Sequence, residues 1–497
     1  MTQAQDFNVG FTYLSRATRW RDEPAIFHDG FRLTHGALAG ITIAMARHMQ
    51  RHGAGQGSVV GVRSDDVTVT MASLLATALI GARWVFASGS DLLRRRAGVT
   101  LLLDSEPDPA QRLPGAVLVD ADWAKMPADA PTTPFPGHAD ADAPWLISRT
   151  SGTTGTPKLV WLSPRIVTAR NALNAEMFPR PGVCLCGLFV SGAPGQTSRY
   201  LSALLHGGRI LADIAPEAWS RHRPDIVFGS PAQMRSLIGD RTLPEKLPRV
   251  HLAGSTAPDK LVRHLLASFD VVTNGYGSTE GFNCLSVRQS LGPDGAITRD
   301  TVLRPGVTIE IVDADDRPLP VGRDGIVRVR NGVLAGGYLD APELTERVFR
   351  DGWFYPGDLG HWTESGDFVV TGRINDQYNL GGVKVNAAVL DHMIQNVPGV
   401  KDAVTFLMPG PDGEDRLTAF YVLEPGAIAH DVLSEARLAA MRVGGAAAVP
   451  KRFLPIDTVP RTATGKPDRA ACAAHAIRVR DAVQARRRGT QTTPDRL

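Results

Sequence analysis

Lysine is scarce in this chain. Eight lysines, at positions 125, 158, 246, 260, 384, 401, 451 and 466, stand against 46 arginines. Where Arg supplies nearly all positive charge, a Lys in a Gly-rich stretch is less readily explained as surface charge. Lys158, Lys384 and Lys466 all sit in such stretches. Cysteine is scarcer still. Cys184, Cys186, Cys284 and Cys472 form no C-x-x-C pair, so neither a zinc site nor a disulfide framework is expected. Long apolar runs are missing too: "MASLLATALIGA" (Met71–Ala82) stops at Arg83 and falls short of a membrane span. The opening residues "MTQAQDFNVGFTYLSR" lack a basic segment followed by an apolar one, so no export signal is expected and the cytoplasm is the expected location. Charge of one sign is also lacking, and a net +3 does not point to nucleic acid or an acidic membrane as a partner.

What is present is the composition of a globular enzyme, 43% apolar and 21% charged, in 497 residues that are too many for one core. Apolar periodicity predicts a helix over 38–51 and a buried strand in "SVVGVRS". Helix followed by strand recurs in "TVTMASLLATALIGARWVFAS", "PAQMRSLIGD…RVHLAG" and "VRHLLASFDVVTNGYG". This alternation, from about 35 to about 285, predicts an α/β region of parallel-sheet subdomains. From about 300 to 371 the period becomes two, with Gly, Asp and Pro turns, as in a β-rich subdomain. Beyond "GRINDQ" helices and strands mix in a small α+β unit. The expected organisation is a large N-terminal domain over 1–373, a hinge at 374–376 and a small C-terminal domain over 377–497. The Arg-rich tail "AIRVRDAVQARRRGT" reads as a solvated helix face.

One stretch stands out. "RTSGTTGTPKLV" (Arg149–Val160) holds five hydroxyl residues, two glycines, a proline and a lysine behind the apolar lead-in "APWLIS". Glycines let backbone N–H groups approach a ligand and form an anion nest, hydroxyls add neutral donors, and a Lys adds a point charge suited to phosphate. Thr150, Ser151, Gly152, Thr153, Thr154, Gly155 and Lys158 are therefore candidates for holding a polyphosphate. This is not a Walker A loop: counted from Gly152, Pro157 stands where the second Gly belongs, and Leu159 follows Lys158 in place of Ser or Thr. A Gly/Ser/Thr linker is the alternative reading. A linker, however, has no need of a lysine at a set place behind a buried strand.

Four further stretches carry chemistry. In "NGYGSTEG", the residues Asn274, Gly275, Tyr276, Gly277 and Ser278 leave backbone bare for a flat base, followed by Thr279 and Glu280. Glu280 could hold magnesium, which favours carboxylate plus phosphate oxygens; a tight turn with a surface Glu is the alternative. In "DGWFYPGDLG", Asp358 could accept both hydroxyls of a ribose, or simply belong to a hairpin turn. "TGRINDQYNLGGVKVN" is polar and turn-forming at the change of composition, as a hinge at Asn375–Asp376 requires, and carries Gly381, Gly382 and Lys384. "PRTATGKPDR" presents Lys466 on a Gly-containing loop.

In this order the motifs resemble the adenylate-forming superfamily: acyl-CoA synthetases, the adenylation domains of peptide synthetases, and firefly luciferase. The resemblance runs from "DEPAIFHDGFRLTHGAL" at Asp22 to "TGKPDR". It implies attack of a carboxylate on the α-phosphorus of ATP, giving an acyl-adenylate and pyrophosphate. "TSGTTGTPK" would hold the β- and γ-phosphates, Thr279 the α-phosphate, and Glu280 the magnesium ion. Tyr276 would pack on adenine, and Asp358 would take the ribose hydroxyls with Arg373 nearby. Lys466 would bridge the substrate carboxylate and the phosphorus. The small domain, mobile about Asn375–Asp376, would then carry Lys466 away and bring in "NLGGVKV", so that Gly381, Gly382 and Lys384 line the acceptor channel.

Some positions depart from the pattern. The hinge is Asn-Asp where two acids are common, "KLV" replaces "KGV", and "VNAAVLD" follows Lys384 where a Pro and a Glu are usual. No acid lies between Cys186 and Gly208, which speaks against an amino-acid substrate, because a buried unpaired ammonium costs about 3–5 kcal/mol. The implied substrate is a small, largely apolar carboxylic acid; Arg199 is expected in a structural ion pair, with a second polar group on the substrate as its alternative partner. The favoured acceptor is a thiol, coenzyme A; an amine, giving an amide, is the alternative. A nucleotide-binding protein without turnover is a third reading, against which the intact Lys158, Glu280, Asp358 and Lys466 argue.

Overall fold

The computed structural model describes residues 6–87, 91–150, 158–380, 383–410, 415–462 and 467–489. Its chain divides into two compact units. The first comprises Met1–Thr256, Val262–Glu310 and Arg328–Pro356; the second comprises Ala257–Leu261, Ile311–Val327 and Gly357–Leu497.

Helix and strand alternate in the first unit as the sequence implies, and they build two sheets. One has seven strands, in the order Gly337–Tyr338, Lys158–Leu162, Leu146–Thr150, Arg83–Phe86, Val59–Arg63, Leu101–Asp104 and Val117–Leu118. The other has nine: Ile297–Leu303, Phe282–Leu291, Phe269–Ser278, Leu247–Leu252, Ile226–Gly229, Cys184–Gly187, Arg209–Leu211, Pro24–His28 and Phe31–Thr34. Interior neighbours pair in parallel, and the hairpins at the margins pair antiparallel. Crossover helices cover the faces of parallel sheets, which is why their strands read as short continuous apolar runs.

Local signals set the helix ends. The first long helix runs over His35–Arg51, longer than the expected 38–51, because the Thr34 side chain accepts from the Ala37 N–H and caps it. The apolar run at Met71–Ala82 falls in the helix Val67–Ile80, capped by Asp66 and stopped by Gly81 at φ 72°. That helix is buried nearly all round, so its hydrophobicity belongs to a protein core. No helix among the described residues is long and apolar enough to cross a membrane.

In the second unit, Asp358–Trp362 pairs antiparallel with Phe368–Arg373. A short 3-10 turn, Ile374–Asp376, then leads into the hairpin of Gln377–Leu380 and Val383–Asn386. The rest is α+β: Val400–Pro409, Asp415–Leu423 and Arg452–Pro455 form one sheet, packed by the helices Ala387–Gln395, Ala429–Gly444 and Arg469–Gly489.

Two buried histidines should make the first unit acid-sensitive. His35 is sealed in the core, where its Nδ1 meets the Tyr13 hydroxyl and its Nε2 lies 3.1 Å from the Gly208 carbonyl. Burial lowers the pKa of His35, and likewise of His138, to about 4. Each is neutral when folded and titrates near 6.5 when unfolded, so the stability it contributes is full above pH 6.5 and is lost as pH falls towards 4. The loss amounts to at most about 3 kcal/mol per histidine. Urea midpoints measured across that range should fall steadily, and less steeply in His138→Gln.

Candidate active site

The sheets bring the chemistry-bearing stretches of the first unit together. Thr150 ends one strand of a hairpin and Lys158 starts the other, the two facing each other across the pair. Ser151, Gly152, Thr153, Thr154 and Gly155, expected to cradle phosphate, lie outside the described residues. From Lys158 the strand runs to Leu162 and, through the cap Ser163, into the helix Pro164–Leu173.

That helix carries Arg170, which the sequence reading missed. Its buried guanidinium donates from Nη1 to the Thr279 carbonyl at 2.9 Å and from Nη2 to the Glu280 carbonyl at 3.0 Å. Nε and Nη2 also donate to the Val333 carbonyl, at 2.9 and 2.8 Å. Burial lowers the Arg170 pKa to about 9, opposed by the nearby Glu280. One side chain thus fixes the backbone of the two residues whose side chains are expected to meet ATP and its metal.

The rest of the turn is held as firmly. The Gly281 N–H donates to the Ser278 hydroxyl at 3.0 Å, the Asn331 amide to the Gly281 carbonyl at 3.0 Å, and the Ala335 N–H to the Glu280 carbonyl at 2.8 Å. The structure places Asn274–Ser278 inside the strand Phe269–Ser278, paired with Phe282–Leu291. The glycines make that pairing possible. A Cβ at Gly277 would lie 2.0 Å from the Phe282 carbonyl oxygen, so this close pairing requires glycine. Phe282 itself takes φ 64°, closing the turn at Thr279–Gly281. Tyr276 stays half-buried on the same strand.

Glu280 does not stand alone. The Tyr338 hydroxyl donates to its Oε1 at 3.0 Å, and the Lys158 ammonium sits 5.1 Å from the centre of the Tyr338 ring. Tyr338 reaches this place because the edge strand Gly337–Tyr338 pairs with Lys158–Leu162. An acid, a phenol and a lysine from three separate stretches therefore meet in one constellation. The set offers hard oxygen beside a positive charge, which suits magnesium bound to phosphate. No cluster of three or more His, Cys, Asp or Glu that could hold a metal by protein ligands alone occurs among the described residues.

In the second unit Asp358 is buried and Arg373 donates from Nε to its Oδ1 at 3.0 Å; the two also face each other across their strand pair. The Asn386 side chain caps the helix Ala387–Gln395 and donates to the Arg373 carbonyl at 3.3 Å, which ties the strand before Asn375–Asp376 to the helix after it. Lys384 lies in the strand Val383–Asn386, opposite Asn379. Gly381, Gly382 and Lys466 lie outside the described residues, as do the side chains of Asn375 and Lys384. The expected ion pair of Arg199 is not formed: no carboxylate among the described residues pairs with it, and it meets His251 and the Gly195 carbonyl instead. The segment around it is apolar and leaves no acid within reach.

Arg170 and Tyr338 had no legible signal. One is among 46 arginines and the other follows a Gly-Gly pair, and only folding aims them at Glu280.

The family model for AMP-binding enzymes matches residues 14–339 of this chain. A 3-hydroxybenzoate–CoA/4-hydroxybenzoate–CoA ligase of Thauera aromatica is 28% identical, over 91% of this chain and 92% of its own length. A sulfoacetate–CoA ligase of Cupriavidus necator is also 28% identical, over 93% of this chain and 96% of its own. Among solved structures, ATP-bound MatB from Rhodopseudomonas palustris superposes with a TM-score of 0.79 at 21% identity, covering 94% of this chain and 99% of its own.

Proposed function

The chain belongs to the AMP-binding enzyme family, and from that premise we propose that it activates a small carboxylic acid with ATP and passes the acyl group to coenzyme A. The observation that carries this reading is the turn Thr279–Glu280, locked by Arg170 and joined through Tyr338 to Lys158. Such a set can hold a triphosphate so that its α-phosphorus meets a carboxylate, with pyrophosphate as the leaving group. Preorganised donors and charges of this kind lower the barrier without reorganising during the reaction. The two curated relatives named as CoA ligases support the choice of acceptor.

Thr150, Ser151, Gly152, Thr153, Thr154, Gly155 and Lys158 hold the β- and γ-phosphates. Thr279 donates to the α-phosphate. Asn274, Gly275, Tyr276, Gly277 and Ser278 form the platform for adenine, and Asp358, oriented by Arg373, takes the ribose hydroxyls. Glu280 would hold a magnesium ion, which would neutralise charge on the phosphates. Lys466 stabilises the charge that builds during attack. The segment after 376 then moves as a small domain about Asn375–Asp376, bringing Gly381, Gly382 and Lys384 to the acceptor.

Labelled pyrophosphate should exchange into ATP when a suitable acid is supplied, with no acceptor present. Mass detection with coenzyme A and with amines, offered separately, should find a thioester. Product from amines alone would favour the amide-forming reading, which the altered sequence after Lys384 keeps in play. ATP binding without exchange across a broad acid panel would leave a nucleotide-binding protein.

Tyr338→Phe tests the link to Glu280. It removes one hydrogen bond, worth about 0.5–1.5 kcal/mol, so exchange should need roughly two- to tenfold more magnesium for half-maximal rate. An unchanged magnesium titration would detach Tyr338 from the metal.

A further inference from the structure

Arg199 lies on the helix Pro194–Leu205 with its guanidinium 3.8 Å above the Phe228 ring. Nη1 donates to the Gly195 carbonyl at 3.2 Å, and Nη2 lies 3.3 Å from His251 Nε2. Nε is buried without a hydrogen-bond partner, and no carboxylate among the described residues pairs with the side chain. Its surroundings are positive. Arg304 lowers the Arg199 pKa further after burial has pushed it down, to about 9 in all. His251 is held well below its ordinary value by burial and by Arg199, Arg249 and Arg304, so it stays neutral and accepts from Arg199. Arg304 has its own acid, Glu176, and Arg249 feels Asp225 and Glu176. Arg199 has none.

The place is as telling as the charge. Phe228, His251 and Gly275 lie towards the carboxyl ends of three neighbouring parallel strands, Ile226–Gly229, Leu247–Leu252 and Phe269–Ser278. Ligands of open α/β sheets bind outside such ends. A Cβ at Gly275 would lie 2.9 Å from His251 Nε2, so the Arg199–His251 pair sits directly under the backbone beside Tyr276. A sheltered guanidinium without a counter-ion is costly, and an anion brought by a ligand would relieve that cost.

We propose that the acid substrate carries a second oxyanion, a carboxylate or a sulfonate, which Arg199 binds beside His251 while the first carboxylate is activated. This rests on the carboxylate-activating reading above. It replaces a largely apolar substrate with one charged at both ends. His251 acts as a positioning residue that holds the guanidinium by accepting from Nη2.

The test is acid-dependent pyrophosphate exchange with three series of equal chain length: monocarboxylic acids, α,ω-dicarboxylic acids and ω-sulfocarboxylic acids. The wild-type protein should favour one of the doubly anionic series by about tenfold or more in kcat/KM, as expected for a sheltered charge pair, and which series wins identifies the second group. Arg199→Met should abolish the preference, Arg199→Lys should keep part of it, and Arg199→Glu should turn selectivity towards ω-amino acids. If Arg199→Met does not fold, the wild-type series and Arg199→Lys decide. Exchange that is robust with monoacids and no better with either dianion overturns this inference and leaves the activation reading standing. A preference for dianions that survives Arg199→Met also overturns it. No exchange with any acid removes the activation reading, and this inference with it.

Discussion

Arg170→Met is expected to lower stability by several kcal/mol and to slow acid-dependent pyrophosphate exchange by at least about tenfold at temperatures where the variant is folded. Methionine fills much of the space but donates nothing. Among the described residues, the Thr279 and Val333 carbonyls lose their side-chain donor, and the Glu280 carbonyl keeps the Ala335 N–H. Each buried group left unsatisfied costs about 1–3 kcal/mol. The kinetic loss has a separate cause. With its clamp gone, the Thr279–Glu280 turn can drift, and a displacement of about 1 Å at a reacting centre costs on the order of a hundredfold. Urea denaturation measures the first effect; exchange measured well below the melting temperature measures the second. Arg170→Lys should recover part of the stability and little of the rate, since one ammonium cannot span three carbonyls. Full exchange in a destabilised Arg170→Met would make the clamp purely structural.

Lys466→Ala should slow adenylation by about a hundredfold or more, the effect of losing one preorganised electrostatic contact. Transfer from a supplied acyl-adenylate should survive, because the lysine is expected to have swung away by then. The described residues on either side of Lys466 are tied down. Arg461 bridges to Pro467, the Asp468 N–H donates to the Pro460 carbonyl at 3.0 Å, and Arg461 pairs with Asp402 at 2.7 Å. Just beyond, Arg469 pairs with the buried Asp391 at 2.7 Å and donates to the Thr405 carbonyl at 2.7 Å. These ties fix both ends of the loop on the core of the second unit. Single-turnover rates for each half-reaction decide the matter: equal losses in both would contradict the two-step use of one site.

The sequence by itself determined the class of fold and the family. Helix and strand periods, cap residues such as Thr34, Asp66 and Ser163, and glycine-lightened motifs act over a few neighbours, so they can be read from neighbours alone. Gly277, Glu280 and Lys158 were visible for the same reason: their chemistry is written into the short motif around each. The tertiary structure alone decided what joins those motifs. Which strands share a sheet, with Pro24–His28 paired to Arg209–Leu211, follows from which apolar faces can be buried together. Arg170 and Tyr338 carry no motif; their roles arise because a helix and an edge strand distant in the chain converge on the Glu280 turn. Arg199 shows the same limit from the other side. A structural ion pair is the expectation for it, but folding places it among other cations at the ends of parallel strands, where no carboxylate of the described residues pairs with it. Local rules act through bonded neighbours, whereas burial and charge act through space, and only the folded chain specifies who is near whom.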